Sequence, residues 1–368
     1  MHARQTNAFV FGEGRISSYL SFTLGLLSLL AVLCFLFPEY LTTPQLRQHY
    51  PVDFLRKVLM VALILTFLFG LLSFALTKNN RPARWGIFFS TVAILLGGAE
   101  IEVKDFEDSA FQIGVDWLIL DLLILALIFI PIERIFPHNK DQLTLRDEWK
   151  TDLTYFCISH LFIQVTAILV QEPATILFGW MGLATLQAQV VALPLVVQFM
   201  AALLFTDLVQ YAVHRAFHSN VLLWKFHAIH HSIKDLDWLS GSRIHIVDAL
   251  ITRSLGFIPL YILGFSTEAF GAYIIFVAFQ TILIHSNTDI KFGLLRYILV
   301  TPQYHHWHHS GDPETYGKNF AVHLPMIDMI FGTFYLPKGE WPSSYGIMEG
   351  FPKDYLNQFV HPFRKGSD

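Results

Sequence analysis

The chain has 368 residues, of which 54% are hydrophobic and only 15% are charged, and its formal net charge is −4. A soluble domain carries roughly a quarter charged residues, so this composition excludes a pair of ordinary water-soluble domains. Two cysteines, both inside apolar runs, exclude a disulfide framework and a cysteine-based metal site. The small negative charge gives no reason to expect nucleic-acid binding.

Long apolar segments follow one another along the chain. A helix needs about 20 mostly apolar residues to cross a bilayer. Because lipid offers no partner for unpaired backbone groups, the segments predict an all-α, polytopic membrane protein. The first segment is too long for a cleaved signal, and more spans follow it. The predicted spans are Tyr19–Phe37, Val58–Thr77, Trp85–Ala99, Gln112–Ile132, Leu153–Val170, Val190–Thr206, Ile246–Leu263 and Ala269–Ile284.

Basic residues in the short loops indicate the orientation, since cytoplasmic loops carry an excess of lysine and arginine. With a cytosolic N-terminus, the inside residues, such as Arg81, Arg84, Lys140 and Lys150, outnumber the outside ones. All the later histidines can then share the cytoplasmic face. We expect an N-terminal membrane anchor at residues 1–112, a catalytic region at 113–345 and a cytosolic tail at 346–368.

Thirteen of the 17 histidines follow position 200, and eight of them form three spaced groups. Residues at i and i+4 share a helix face, so two imidazoles one turn apart can approach one metal. In an H-x-x-H-H pattern the adjacent histidine lies about 100° further round the helix and can reach a second ion. Eight imidazoles exceed what one octahedral ion can take, so the sequence predicts two metals. The groups are His214 and His218; His227, His230 and His231; and His305, His308 and His309.

Two polar residues precede the first group on the same helical stripe. Asp207 and Tyr211 come seven and three residues before His214. We predict that they accept hydrogen bonds from ligating imidazoles, as groups behind metal ligands commonly do. Beyond the ligands we predict no obligatory catalytic acid or base, because the cofactor carries the difficult chemistry.

The residues around the histidines, and the positions of the histidines along the chain, limit which metals the sites could hold. Imidazole suits zinc, copper, nickel and iron, but the H-E-x-x-H signature of zinc hydrolases is absent. A histidine-rich metal transporter, the alternative from another class, would place its ligands through the bilayer. Here the histidines lie at helix ends and in polar segments. Many neutral nitrogens around two ions favour iron that cycles and activates O2.

Several segments resemble the fatty acid hydroxylase/sterol desaturase superfamily of integral-membrane di-iron oxygenases. The resemblance covers about residues 113–345. The short gap between the first two histidine groups favours this superfamily over the acyl-CoA desaturases. The segments that carry the resemblance are His214–His218, Leu223–Ser232 and Val300–His309, with support from Pro131–Pro137, Trp149–Tyr155, Asn319–Thr333 and Tyr335–Gly346.

The resemblance implies a membrane helical bundle with a cytosolic helical cap that holds a dinuclear metal site. It implies two iron ions (which zinc can replace in a purified sample), O2, a lipid substrate and an external electron donor. We expect hydroxylation of an unactivated C–H bond of a fatty acyl, sterol or ether lipid, with desaturation on the same site as the alternative. No cytochrome b5-like segment is found, so a separate electron-transfer protein or reductase is expected. The tail resembles bacterial members, which implies a bacterial inner membrane.

The resemblance also extends to residues outside the three groups. His285 resembles a further ligand of the family, and His245 matches the family's R-x-H pattern. Asp289 is either a carboxylate ligand or a surface residue at a helix terminus. His306 is out of register and is expected behind the ligands, and Asn319 either orients a ligand or caps a turn.

Overall fold

The computed structural model describes residues 14–78, 80–102, 112–162, 169, 176, 181–347 and 350–364. Within these residues the secondary structure is helical, with two isolated β-bridges and no strand. Seven helical segments in the described part of the chain are long and apolar enough to cross a bilayer. The prediction of an all-α, multi-pass membrane protein is thus confirmed. The seven segments are Arg15–Leu36, Val52–Leu76, Arg81–Glu100, Val115–Ile135, Leu195–Ser219, Ile246–Leu263 and Thr267–His285.

The chain forms two compact units, and the first is Met1–Leu122. Two of its helices approach each other backbone to backbone. A Cβ atom added to Gly25 would lie 2.2 Å from the carbonyl oxygen of Gly86, so only glycine fits this contact. Such close approach through small residues is typical of helix packing in membranes. The helices of this unit are α1 (Arg15–Leu36), α2 (Pro38–Leu41), α3 (Pro44–Arg47), α4 (Val52–Leu76) and α5 (Arg81–Leu95).

The second unit, Leu123–Asp368, contains every predicted metal ligand. The helix α6 (Val115–Ile135) leads into it. Among the described residues, the α-helices that follow are α7 (Trp149–Leu161), α8 (Ala184–Val191), α9 (Leu195–Ser219), α10 (Val221–His231), α11 (Ile246–Gly256), α12 (Ile258–Leu263), α13 (Thr267–His285), α14 (Pro302–His308), α15 (Pro325–Phe331) and α16 (Tyr355–Val360).

The span predicted at Val190–Thr206 is shifted in the structure. Helix α8 ends at Val191, and Pro194 precedes α9, which continues to Ser219. Proline has no backbone N–H and fixes φ, so it is well suited to this helix start. The polar residues on the buried face of α9 lower the hydropathy of its second half, which is why the apolar run ends too early. His214 and His218 therefore lie within the helix rather than beyond its end.

Only part of the predicted span Leu153–Val170 lies among the described residues. Helix α7 ends at Leu161, and most of the rest of the predicted span Leu153–Val170 lies outside the described residues. The last predicted pair of spans is present as α11 and α12, followed by α13. The turn between them contains Gly264 at φ 63°, a left-handed conformation that favours glycine.

Candidate metal centre

Nine histidines converge in the second unit and form two groups. Within each group, one ring nitrogen from every histidine lies within 4.8 Å of all the others. The nine include all eight residues of the three sequence groups together with His285. Cluster A consists of His214, His218, His227, His231 and His308, and cluster B consists of His230, His285, His305 and His309.

The first two sequence groups meet because α9 and α10 are joined by a single residue, Asn220. The side chain of Asn220 accepts hydrogen bonds from the backbone N–H groups of Leu222 and Leu223, at 2.9 and 3.1 Å. This is an N-cap, which starts α10 immediately after α9 ends. The turn folds the histidines of α10 back against those of α9. The rings of His214 and His227 are 4.9 Å apart, centroid to centroid.

Adjacent histidines serve different clusters. His230 belongs to cluster B and His231 to cluster A, and their ring planes are at 90°. In the same way, His308 belongs to cluster A and His309 to cluster B, with ring planes at 86°. This follows from the rotation of about 100° between neighbouring helix positions. The clusters are also in contact, since the rings of His231 and His309 are 4.5 Å apart.

Hydrogen bonds at Nδ1 fix the protonation of five rings. A carbonyl or carboxylate oxygen only accepts, so in each case Nδ1 carries the hydrogen and Nε2 presents a lone pair. The bonds are His214 to the carbonyl of Phe320 at 2.7 Å, His230 to Arg243 at 3.1 Å, His285 to Thr281 at 2.7 Å, His308 to Lys318 at 3.0 Å, and His227 to the Asp248 carboxylate at 2.7 Å.

Lone pairs consequently face one another inside each cluster. The Nε2 atoms of His214 and His227 are 3.1 Å apart, and those of His230 and His285 are 3.3 Å apart. Neither pair has a hydrogen to share, so a cation is the group that satisfies both nitrogens. Three more Nε2 atoms of cluster A are buried without a hydrogen-bond partner among the described residues, namely those of His218, His231 and His308. The donor set therefore fits two metal ions.

Five of the clustered histidines are held in the metal-binding form by their surroundings. Burial, reinforced by neighbouring imidazoles, lowers the pKa of each ring well below its usual value. A neutral imidazole is the form that coordinates a metal, so these rings are available at neutral pH. The residues are His230, His231, His305, His308 and His309.

Asp207 and Tyr211 do not contact the imidazoles, which corrects the prediction made for them. The Asp207 carboxylate accepts hydrogen bonds from three successive backbone N–H groups, of residues 322–324, at 2.6 to 3.1 Å. The Tyr211 hydroxyl pairs with that of Thr333 at 2.9 Å. Asp207 instead holds the segment of residues 320–324, and the Phe320 carbonyl of that segment accepts the hydrogen bond from His214. Asp207 therefore supports cluster A only indirectly.

His245 and Asp289 lie outside both clusters, and the structure gives each another role. The Nδ1 atom of His245 accepts a hydrogen bond from the backbone of Val247 at 3.1 Å and caps α11. Its Nε2 lies 3.1 Å from the carbonyl of Phe359. Asp289 forms an exposed ion pair with Lys291 at 2.6 Å. Since both ring nitrogens of His245 and the carboxylate of Asp289 have partners, we remove these two residues from the candidate ligand set.

His306 and Asn319 support the fold around the clusters. His306 points away from them, and its Nδ1 lies 3.0 Å from the hydroxyl of Tyr345. Asn319 adopts φ 60°, and its side-chain amide donates to the carbonyls of Tyr304 and Tyr335 at 2.9 and 2.7 Å. Of its two predicted roles, the structure favours the turn, since its amide hydrogen bonds go to backbone carbonyls.

Sequence reasoning missed Asp248, a carboxylate that contacts cluster A directly. It lies in the first turn of α11 and also accepts a hydrogen bond from the Thr252 hydroxyl at 3.1 Å. The sequence offered one indication of this role, since Asp248 lies three residues after His245, which was itself a candidate ligand. The backbone carbonyls that hold the other rings have no side-chain signature, so the sequence could not have marked them.

A buried ion-pair network holds the loop that carries one of these carbonyls. The Arg243 guanidinium contacts the Asp152 carboxylate at 2.6 Å. Arg146 bridges Asp152 and Asp237, at 2.5 and 2.8 Å. Because the Arg243 carbonyl accepts the hydrogen of His230, the network positions a ring of cluster B. Asp152, in the segment Trp149–Tyr155, therefore supports the histidine clusters from a distance.

A cleft of about 700 Å³ opens onto both clusters. Four of their rings line it, from His218, His231, His308 and His309, so the centre is accessible from outside. Much of the remaining wall is apolar or aromatic, as expected for a site that takes a hydrophobic ligand. Its apolar and aromatic residues are Val221, Trp224, Tyr316, Phe320 and Ile347.

Residues 199–333 match the family model described as fatty acid hydroxylase. This range contains all nine clustered histidines and Asp248. This segment of the chain therefore carries a fatty acid hydroxylase domain. The family is a non-haem di-iron monooxygenase group, and the two histidine clusters, which could hold metal ions, agree with that match. The resemblance read from the sequence is therefore confirmed.

Three curated relatives illustrate the range of the superfamily. The chain is 36% identical over 174 residues to an ornithine lipid hydroxylase of Rhizobium tropici, covering 47% of this chain and 53% of the relative. It is 32% identical over 133 residues to an alkylglycerol monooxygenase of Danio rerio, covering 36% and 29%. It is 30% identical over 148 residues to a very-long-chain aldehyde decarbonylase of Arabidopsis thaliana, covering 36% and 23%. The matches thus span about half of the first relative and under a third of the others. No solved structure matches the chain.

Proposed function

We propose that this protein is a membrane-bound, O2-dependent di-iron enzyme that hydroxylates an unactivated C–H bond of a lipid. The observation that carries the proposal is the pair of histidine clusters, whose facing lone pairs need cations, at the base of an apolar cleft. The names of two relatives, a lipid hydroxylase and a monooxygenase, support the same reaction class.

In this proposal cluster A holds one iron and cluster B holds the other. When bound, the irons supply the activation of O2 for attack on a C–H bond. The protein's part is positioning. Asp248 and the carbonyls of Phe320 and Arg243 hold the ligating rings in one tautomer, and Trp224 and Phe320 provide walls against which a chain can lie.

Desaturation is the second candidate, because the same metal centre gives a double bond if a second hydrogen is removed from the neighbouring carbon of the substrate. An aldehyde decarbonylase among the relatives shows that the superfamily also includes other outcomes. A metal transporter is less well supported. Its ligands would be distributed along a path, whereas the nine histidines are gathered in one place, with His285 the last residue of α13.

We further propose that the centre faces the cytoplasm of a bacterial inner membrane and receives electrons from a separate electron-transfer protein or reductase. The excess of basic residues in the loops on the inside supports this orientation. In the same proposal residues 1–112 form a membrane anchor, 113–345 the catalytic region and 346–368 a tail.

The reaction can be tested by comparing membrane lipids from cells with and without the gene, grown under 18O2. Hydroxylation predicts a lipid that gains one 18O atom only when the gene is present. A product that has lost two hydrogens without gaining 18O would instead identify a desaturase. If iron-loaded protein yields no O2-dependent product, the oxygenase proposal is wrong.

The ligand assignment has its own test. Substituting His214→Ala in cluster A or His309→Ala in cluster B should remove most bound iron and abolish product formation. His49→Ala changes an exposed histidine of the first unit and serves as the control with unchanged iron. Full iron content in either cluster variant would contradict the assignment.

A further inference from the structure

The cleft beside the clusters carries basic side chains and, among its described lining residues, no acidic one. The two basic residues are Arg215 and Lys225. Arg215 lies on α9 between two histidines of cluster A, and Lys225 lies on α10, two residues before His227. Both therefore belong to the same helix pair that supplies the imidazoles.

The position of Arg215 corresponds to a particular depth in the membrane. It lies in the last turn and a half of α9, a helix of 25 residues that is long enough to span a bilayer. A helix of this length that crosses the bilayer places its last turns at the level of the charged lipid headgroups, beyond the hydrocarbon region. Its side chain is exposed, and it donates one hydrogen bond to the Tyr211 hydroxyl at 3.2 Å. A guanidinium has five N–H donors in a planar fork, so that bond leaves it able to hold an oxyanion.

A neutral lipid would gain little from this arrangement. A negative group bound in the cleft forms charge-assisted hydrogen bonds with a guanidinium or an ammonium, which a neutral headgroup cannot form. Carboxylate and phosphate are the groups that match an arginine fork together with a lysine ammonium. The apolar wall of the cleft, which includes Trp224 and Phe320, continues from these cations to the rings of cluster A.

We propose that the cleft selects acyl lipids with an anionic headgroup, a carboxylate or a phosphate, which Arg215 and Lys225 bind. The acyl chain then lies along Trp224 and Phe320 toward the clusters. The inference deepens the proposed function by naming its substrate class, and it rests on that function only for the oxidation that follows binding.

The test measures binding to the full-length protein in a non-ionic detergent with two matched pairs of probes. Oleate is compared with oleyl alcohol, and dioleoyl phosphatidic acid with dioleoylglycerol. We expect the wild type to bind at least one anionic probe about tenfold more tightly than its neutral partner. Arg215→Gln and Lys225→Gln should each remove most of that preference without weakening binding of the neutral probe.

Two variants control for folding and for general charge effects. Arg215→Lys keeps the positive charge without the fork and should retain part of the preference. Lys291→Gln removes an exposed lysine that is paired with Asp289 and does not line the cleft, so it should behave as the wild type. Iron content, measured on every sample, reports that each variant is folded around its clusters.

The outcomes separate the headgroup proposal from the proposed reaction. Equal binding of charged and neutral probes, or an unchanged preference when both Arg215→Gln and Lys225→Gln are present, overturns the headgroup proposal. A preference for oleate assigns the carboxylate source, and one for phosphatidic acid assigns the phosphate source. If the preference is found but no lipid is oxidised, the reaction proposal fails and the binding proposal stands.

Discussion

The carboxylate of Asp248 and the ring of His227 form the most direct support of either cluster. Nδ1 of His227 lies 2.7 Å from a carboxylate oxygen, and Nε2 on the other side of the ring lies 3.1 Å from Nε2 of His214. The carboxylate keeps the hydrogen on Nδ1 and makes Nε2 more basic, so that its lone pair binds a metal more strongly. Asp248 is itself held by the Thr252 hydroxyl, so the ring cannot turn freely.

Replacing this carboxylate should weaken metal binding without removing a ligand. We expect Asp248→Asn to lower iron affinity about 10- to 100-fold, the usual effect of removing a group behind a ligating histidine. Competition with a chelator measures it. Asp289→Asn is the matched control, because that carboxylate pairs with Lys291 on the surface and should leave the affinity unchanged. A loss of affinity in the control alone would return Asp289 to the ligand set.

His245 should prove structural. Its Nδ1 caps α11, a role that asparagine also fills well. We expect His245→Asn to retain iron and stability, and His245→Ala to retain iron while losing about 1 kcal/mol of unfolding free energy. Iron content and thermal unfolding distinguish the two effects. Iron-free protein in the asparagine variant would show that His245 is a ligand after all.

The buried ion-pair network should matter far more than surface ion pairs. Asp152→Asn removes the buried carboxylate that Arg146 and Arg243 share, and leaves each with one other partner, Asp237 or Glu148. We expect a loss of about 3 kcal/mol of unfolding free energy. Lys353→Gln breaks an exposed pair with Asp147 and should cost under about 1 kcal/mol. Thermal unfolding of the three proteins side by side gives the comparison, and similar losses in both variants would contradict it.

His323 should make the fold sensitive to acid. Burial lowers the pKa of its ring to about 3, against 6.5 for an ordinary histidine. Between these values only the unfolded chain binds the proton, so the stability from this residue is complete above pH 6.5 and is lost as the pH falls toward 3. When the pH is lowered from 8 to 5, the unfolding free energy of His323→Gln should fall by about 2 kcal/mol less than that of the wild type. Equal losses in thermal unfolding experiments would show that His323 does not titrate in this way.

The parts of the structure that follow from helix periodicity or bilayer thickness could be predicted from the sequence. The face shared by His214 and His218, and the division of neighbouring histidines between two ions, follow from the angle between successive helix positions. The membrane helices follow from the length and hydropathy of the apolar segments. The exception is the start of α9, which Pro194 sets and which mean hydropathy does not reveal.

The supports of the ligands could not be predicted, because they depend on contacts between distant backbone segments. The backbone carbonyls of Phe320 and Lys318 accept hydrogen bonds from the rings of His214 and His308. Any residue has a backbone carbonyl, so the identity of these side chains does not predict the role. Asp207 shows the opposite error. It lies on the histidine stripe of α9, but its carboxylate accepts hydrogen bonds from three backbone N–H groups at residues 322–324, which satisfy a buried carboxylate better than one imidazole could.

The division of His230 from His231, and of His308 from His309, between the two clusters would couple the binding of the two proposed ions. Helices α10 and α14 each contribute histidines to both clusters, so a small rotation of either helix would alter both sites at once. An ion that left one site would loosen a helix on which the other also depends. Loading should therefore be cooperative, with empty and doubly occupied molecules in excess over singly occupied ones.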